Sequence, residues 1–313
     1  MAKKVAIIGA GMAGLAAARV LRDAGAVCTL FDKSRGLGGR MATRRTGEFA
    51  FDHGAQYFTA RGPRFRAVVD EWRQAGHAAN WHEEAIVGAP GMTAPARAMA
   101  AGFETVMGCE VKSLRRAADA WSLLAEDATY EGFAAVVVAT PAPQTIPLLE
   151  SGGVSFPQLA SVRYAPCLAL MLAFDGPVAF KGDSLRREDG PIAWIARNSS
   201  KPGRTDGAQT FVVHAGPDWS RAHLDETPEA ILEKLQPYAL DLIGAGSAPI
   251  FATAHRWRFA LVEQAVGLPC LWDAQAGVGA CGDYCLGPRV EAAFDSGEAM
   301  AQAIVDSWSV HAQ

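Results

Sequence analysis

The chain of 313 residues is half hydrophobic and one-fifth charged, carries a formal net charge of −4, and has no run of five or six like charges. That balance suits a soluble protein of one large domain or two interleaved ones with a sizeable core, and it lacks the basic patch that nucleic acid or a membrane surface would need. The longest apolar stretches, residues 134–139 and 168–174, fall far short of the roughly 20 residues that span a bilayer.

Lys3 and Lys4 before an apolar run imitate an export signal, but the three glycines that follow and the lack of a small-residue cleavage site favour a strand and a turn. Without such a signal, the cysteines at 28, 109, 167, 270, 281 and 285 are expected to be reduced thiols in a cytoplasmic protein. Cys281 and Cys285 have no second ligand pair beside them, so no metal site is expected.

Residues 4–8 read as a buried strand, 12–24 as a helix rich in Ala and Leu that stops at Gly25, and 27–31 as a second strand. This spacing is that of a βαβ unit in a parallel sheet. Between the first strand and the helix lies Gly9-Ala10-Gly11-Met12-Ala13-Gly14. Gly9 allows a sharp turn, Gly11 lets a pyrophosphate approach the backbone, and Gly14 lets helix and strand pack closely. The helix start supplies free N–H groups. Asp32, 18 residues after Gly14, can accept hydrogen bonds from both hydroxyls of a ribose. The pattern predicts dinucleotide binding, the competing reading being a tight turn without a ligand.

Next comes a loop rich in Gly and Arg, residues 34–46, containing Gly36-Leu37-Gly38-Gly39-Arg40. Gly38 and Gly39 permit close approach to a cofactor, and Arg40 can neutralise a pyrophosphate oxygen. Residues 63–76 form an amphipathic helix presenting Phe65, Val68, Val69 and Trp72, and 93–101 form a shorter helix. Residues 111–114, 120–125 and 134–139 read as an antiparallel meander that returns to the main sheet, the last strand backing the cofactor before Thr140 and Pro141. In the middle third, 168–174, 191–196 and 210–214 are strand-like, and 227–243 is a helix with Pro228 at its start and Gly244 at its end. The chain changes character after His255, makes a tight turn at 279–282, and ends in a helix over 288–308 with apolar residues at the helical period. Asp283, after Gly282, can bond a ribityl hydroxyl or cap a helix. The N-terminus of the last helix would then face the pyrimidine edge of a flavin and favour its reduced state.

Taken together these motifs resemble the FAD-binding fold of monoamine-oxidase-like flavoproteins, and within it the renalases, above all the bacterial ones. The resemblance is carried by residues 30–36, Gly38-Gly39-Arg40-Met41, residues 52–61, 196–198 with 200–204, 254–257 and 281–285, and runs from end to end. It implies an α/β chain: a Rossmann-like FAD-binding domain with a parallel sheet (1–60, 91–145 and 255–313) and an interleaved α+β substrate domain with a mostly antiparallel sheet (61–90 and 146–254). It implies non-covalent FAD, since neither Cys281 nor Cys285 stands where a cysteinyl flavin would need it. The activity it implies is oxidation of 2- and 6-dihydro-NAD(P) isomers, with hydride passing to flavin and then to O2, giving NAD(P)+ and H2O2. Such chemistry makes an aromatic cation directly and needs no general base, consistent with a sequence that shows no catalytic triad or paired carboxylates.

By the same resemblance, Gln56 and Tyr57 lie along the flavin, Met12 and Val111 give backbone contacts, Lys33 sits beside Asp32, and Val290 joins the cofactor contacts. Tyr57, Phe58, Thr59, Ala60 and Arg61 face the substrate, and Arg289 touches substrate or flavin. Arg61, Arg197 and Arg204 are candidates for its phosphates. The competing readings are a buried, satisfied amide for Gln56, core aromatics for Phe58 and Trp257, and structural roles for His255 and Tyr284. The short stretch 81–91 predicts a more open site. Rival activities on this fold are an amine oxidase, whose aromatic cage Tyr284 and Trp257 would supply, and a non-catalytic flavin-binding redox sensor. A nicotinamide dehydrogenase using only the first glycine motif is a weaker rival.

Overall fold

The computed structural model describes residues 2–117, 120–204 and 207–310. Strand Lys4–Ile8 is an inner strand of a six-stranded sheet. It pairs in parallel with Val27–Asp32 on one side and Ala135–Val138 on the other. Glu104–Met107 extends the sheet beyond Val27–Asp32, and Val278–Ala280 extends it beyond Ala135–Val138, both in parallel. Leu271–Asp273 closes that edge in antiparallel fashion. Side chains alternate between the two faces of a strand. Val5 and Ile7 therefore enter a core with helices Met12–Asp23 and Val290–Val310, while Ala6 and Ile8 enter a second core beneath an antiparallel meander. Close packing of the two helices relies on Gly297, where a Cβ would lie 2.1 Å from the carbonyl oxygen of Ala13.

A second, five-stranded antiparallel sheet has the order Ser184–Arg186, Ile192–Arg197, Gln209–Ala215, Arg163–Phe174 and Phe251–Gln264. One face, with Leu168, Leu170 and Leu172, packs on Ile231, Leu235, Ala239 and Ile243 of helix Pro228–Ile243. That helix starts at Pro228 and ends at left-handed Gly244 as read, while Thr227, expected inside it, is instead the cap whose Oγ1 accepts the Ala230 N–H. Among the described residues no helix is long and apolar enough to cross a membrane.

Two local expectations are corrected. The meander is Val111–Ala117, Ala120–Ala125 and Thr129–Phe133, while Ala135–Val138 belongs to the parallel sheet. Thr129–Phe133 escapes notice because it is mostly polar, contains Gly132 and buries little besides Phe133. The turn expected at 279–282 is largely the strand Val278–Ala280; Gly279 is there for packing, since a Cβ would meet Leu271 O at 2.4 Å.

The expected domain limits shift as well. Phe65, Val69 and Trp72 of helix Pro63–Gln74, with Ile86 and Val87, pack into the core of the parallel-sheet half, while Trp81 and Gly88 bond to Ser200 and Arg204 of the other half. Strand Phe251–Gln264 carries that sheet past residue 255, held by pairing with Arg163–Phe174 along nearly its whole length.

Candidate functional site

A cavity of about 1650 Å³ lies between the two sheets. Its inner end is built by the first glycine loop. Gly9, at φ +110°, has no room for a side chain, with a Cβ only 2.7 Å from Ala139 O, and a Cβ on Gly14 would fall 2.0 Å from Gly9 O. These two glycines fold the loop tightly, and Gly14 does so without lining the cavity. Gly11 differs: a Cβ there would meet nothing within 4 Å and would project into the space that Gly11 lines. The helix that starts beside it has no side-chain cap, so its first-turn N–H groups are free for an anion. Asp32 organises this end. Its Oδ2 accepts the Ala10 N–H (2.8 Å) and its Oδ1 the Ser34 N–H (2.7 Å). The Ala10 carbonyl in turn accepts the Gly38 N–H at 3.0 Å, pinning the second glycine loop against the first. Met12, Lys33, Gly39 and Val111 complete the lining here. An uncapped helix start, a cradle where a Cβ would stand and an acidic group at the strand end fit the ADP half of FAD.

Arg40 lines the cavity but is already committed. Its guanidinium donates to both Asp283 oxygens at 2.7 Å and to Ala260 O at 3.1 Å, which holds its pKa above the ordinary arginine value even though burial works the other way. The expectation of a free pyrophosphate ligand and a separate ribityl acceptor becomes one neutral, bidentate pair on the cavity wall. Removing Arg40 would leave Asp283, whose side chain is 8 % exposed, as an uncompensated anion facing an anionic cofactor. Arg40→Ala is therefore expected to weaken FAD retention by about tenfold or more, and Arg40→Ala with Asp283→Asn to recover much of it. Flavin occupancy after gel filtration reads both; no recovery in the double variant would place the effect on Arg40 alone.

The outer end meets the antiparallel sheet. Gln56, Tyr57, Phe58, Thr59 and Arg61 all border the cavity; Ala60 does not, and packs with the parallel-sheet core. Gln56 is a buried amide with its hydrogens on Asp52 O (2.5 Å) and Gly54 O (3.0 Å) and its oxygen receiving the Lys201 ammonium (3.2 Å). Phe58 is a core aromatic against Phe65 and Trp72 that only touches the cavity. Tyr57 accepts a hydrogen bond from Arg186 (3.3 Å), and that guanidinium lies over the Trp194 ring at 5.4 Å. Arg61 and Gly62 are held by their backbone N–H groups on the buried Glu291 carboxylate of the last helix. Arg289 and Val290 line the cavity at the start of that helix.

Two of the expected phosphate ligands fall elsewhere. Arg197 donates to Phe180 O and lies against Phe180 and Phe211, and Arg204 is bound to Asp52 and Gly88 O. Neither lines the cavity. Both face inward because their guanidinium groups satisfy buried acceptors, a demand the sequence does not display. Residues 81–91 also pack away from the cavity, with Trp81 donating to Ser200 Oγ.

Three histidines from separate segments also gather at the site. His53, His214 and His255 meet near Trp257, whose indole donates to His53 O at 2.9 Å and whose ring contacts both His53 and His255. Burial depresses all three imidazoles, His53 to about 3 and the other two to about 4, with Arg44 adding to the effect on His53 and His255. They are neutral at physiological pH. An unfolded histidine titrates near 6.5, so their contribution is fully present above that pH and is lost as the pH falls towards 4. The urea midpoint is thus expected to drop between pH 7 and pH 4.5, before Asp52, held down at about 2, begins to protonate. His53→Asn with His214→Gln should flatten that slope.

Residues 77–305 match the family of flavin containing amine oxidoreductases, more than half of the chain, and residues 7–72 match an NAD(P)-binding Rossmann-like domain. In structure the chain is similar to a provisionally assigned protoporphyrinogen oxidase from Exiguobacterium sp. 255-15, with 12 % identity, TM-score 0.75, and coverage of 97 % of this chain and 99 % of that one. It is also similar to cyclohexylamine oxidase from Brevibacterium oxydans IH-35A (12 %, TM-score 0.72, 99 % and 100 % covered). A third match is wild-type putrescine oxidase bound to putrescine (12 %, TM-score 0.66, 98 % and 99 % covered). At this identity these likenesses show the shared fold. FAD is the cofactor of the family, and the cavity's inner end fits it.

Proposed function

The chain belongs to the flavin containing amine oxidoreductases, and we propose that within that family it is a renalase-like oxidase of 2- and 6-dihydro-NAD(P) isomers. One observation carries this reading: the substrate end of the cavity is cationic. Arg44, Arg61, Arg186 and Arg289 line it with exposed side chains. Of the carboxylates among the described lining residues, Asp32 holds the glycine loop, Glu110 is paired with Lys112 and Asp283 with Arg40, which leaves Glu229. Such a wall attracts the phosphates of a dinucleotide and repels an ammonium.

An amine oxidase would need an aromatic cage, and Tyr284, one of its two candidates, is buried with the core beneath the meander. Trp257 is engaged with His53 and His255, and Tyr57 and Trp194 meet at 43° rather than as parallel plates.

FAD held by Gly11, Asp32, Gly39 and the Arg40–Asp283 pair would supply the hydride acceptor, the overall reaction being dihydro-NAD(P), O2 and a proton to NAD(P)+ and H2O2. The chain's own task is orientation and charge. Tyr57 and Trp194 offer ring faces to a dihydropyridine, the arginines hold its phosphates, and the neutral histidines add no positive charge beside a ring that becomes a cation. Non-covalent FAD fits Cys281 and Cys285, both buried off the cavity and with thiols pushed upward in pKa, Cys285 to about 12. The substrate is a small dinucleotide with O2 as co-substrate, taken up without nucleic acid or membrane partners.

If the arginine rim binds substrate phosphates in ground and transition states alike, Arg186→Ala will raise KM for the isomers about tenfold and leave kcat within about twofold. An unchanged KM in Arg61→Ala, Arg186→Ala and Arg289→Ala would remove the rim from the substrate site.

A further inference from the structure

Asp52, directly after strand Phe49–Phe51, is completely buried and faces two cations. Its Oδ1 accepts from Thr43 Oγ1 (2.7 Å) and Met92 N–H (3.0 Å). Its Oδ2 takes Arg204 in close contact and Lys201 at 3.4 Å. Arg204 alone balances the carboxylate, so the Lys201 ammonium, with a fully buried side chain, is a surplus positive charge. It reaches past Asp52 to Gln56 Oε1 at 3.2 Å and lies 5.2 Å from the centre of the Trp81 ring. Gln56 is part of the cavity wall, so the charge sits one side chain behind the space that the flavin half of FAD must use. Holding it there is costly, and burial pushes Lys201 down to about 8.

We propose that Lys201 is a positioning residue for the flavin reaction, keeping a positive charge behind the Gln56 amide that favours the electron-rich, reduced cofactor over the oxidised one. The charge acts across Gln56 and contacts neither cofactor nor substrate. This inference rests on the FAD site and not on the identity of the reductant, so it stands or falls independently of the dihydronicotinamide reading. The groups that face Lys201 change little between pH 7 and 9.5. Asp52 is held down at about 2, Arg204 is bound to Asp52, His214 is already neutral, and Gln56 and Trp81 do not titrate.

The test is the midpoint potential of the FAD-loaded protein, measured against reference dyes, for wild type and for Lys201→Arg, Lys201→Met and Lys201→Gln. Replacement of a surplus buried cation by Met leaves Asp52 paired with Arg204, so the fold should persist. At pH 7 both neutral variants should show a reduced-to-oxidised ratio about tenfold lower at the same applied potential, which is about 30 mV for a two-electron couple. Lys201→Arg should stay within about threefold of wild type. From pH 7 to 9.5 the gap between wild type and Lys201→Met should close as Lys201 loses its proton. Equal potentials for wild type and Lys201→Met at pH 7 would overturn the proposal. So would a wild-type value for Lys201→Gln, which keeps a hydrogen-bond donor without the charge. Loss of FAD from both neutral variants would overturn it too, since Lys201 would then be a structural part of the site.

Discussion

Asp52→Ala is expected to lower stability by roughly 3–5 kcal/mol and to leave much of the protein unfolded at ambient temperature. The reason is the imbalance it creates. Asp52, Lys201 and Arg204 have side chains no more than 4 % exposed, and the carboxylate is the shared counter-ion of both cations. Removing it strands two charges in the interior and also frees the Thr43 hydroxyl and the Met92 N–H from their acceptor. A typical domain has only about 5–15 kcal/mol in total, so this loss is a large fraction of it. Asp52→Asn should be almost as damaging, because the amide keeps the hydrogen-bonding shape without the charge. Lys201→Met, which removes the surplus cation instead, should be neutral or stabilising. Urea midpoints for the three variants check the ordering. An Asp52→Asn midpoint equal to wild type would show that the cations do not need the carboxylate.

Gly11→Val is the second large effect, and it acts on the cofactor without acting on the fold. The residue has ordinary backbone angles, φ −84° and ψ −176°, which valine adopts freely. A Cβ there meets no protein atom within 4 Å. The apoprotein should therefore melt within a few degrees of wild type, with only the modest cost of an apolar residue at a helix N-cap. The new methyl groups would fill the space through which a pyrophosphate reaches the first-turn N–H groups. FAD affinity should fall by at least about 100-fold, some 2.7 kcal/mol. A colourless but folded protein is the expected product. A yellow Gly11→Val protein with normal occupancy would mean that the dinucleotide does not cross this loop. Gly14→Val makes an instructive contrast: there the clash is with Gly9 O, so the fold itself should suffer.

What the sequence reveals is what lies close together along it. The βαβ unit, its glycine loop and Asp32 occupy a short stretch, and Gly9 and Gly14 have the conformational and steric duties that the spacing implies, while Gly11 faces open space. The cap residues of helix Pro228–Ile243 are equally local. The groups that decide the site's charge are not. Arg40 meets Asp283 across 243 residues, and Asp52 meets Lys201 and Arg204 across 149 and 152. A sequence in which arginines and acids are scattered evenly gives no sign of which will pair inside. For that reason Arg197 and Arg204 read as phosphate ligands, whereas Arg186, alone on an edge strand, carries no signal in the sequence although it lines the cavity with Arg44 of the Arg-rich loop. The histidine cluster is hidden for the same reason: His53, His214 and His255 come from three separate segments, brought together where the antiparallel sheet meets the loop after Phe51.

The arginine rim makes the identity of the reductant the central claim, and the reductive half-reaction tests it directly. FAD-loaded protein is mixed without oxygen with borohydride-reduced NAD, which contains the 2- and 6-dihydro isomers, and in parallel with putrescine and cyclohexylamine. Rapid bleaching of the flavin by the isomer mixture but not by the amines, followed by recovery of colour and one equivalent of H2O2 when O2 is admitted, is the predicted result. Bleaching by the amines and not by the isomers would contradict it.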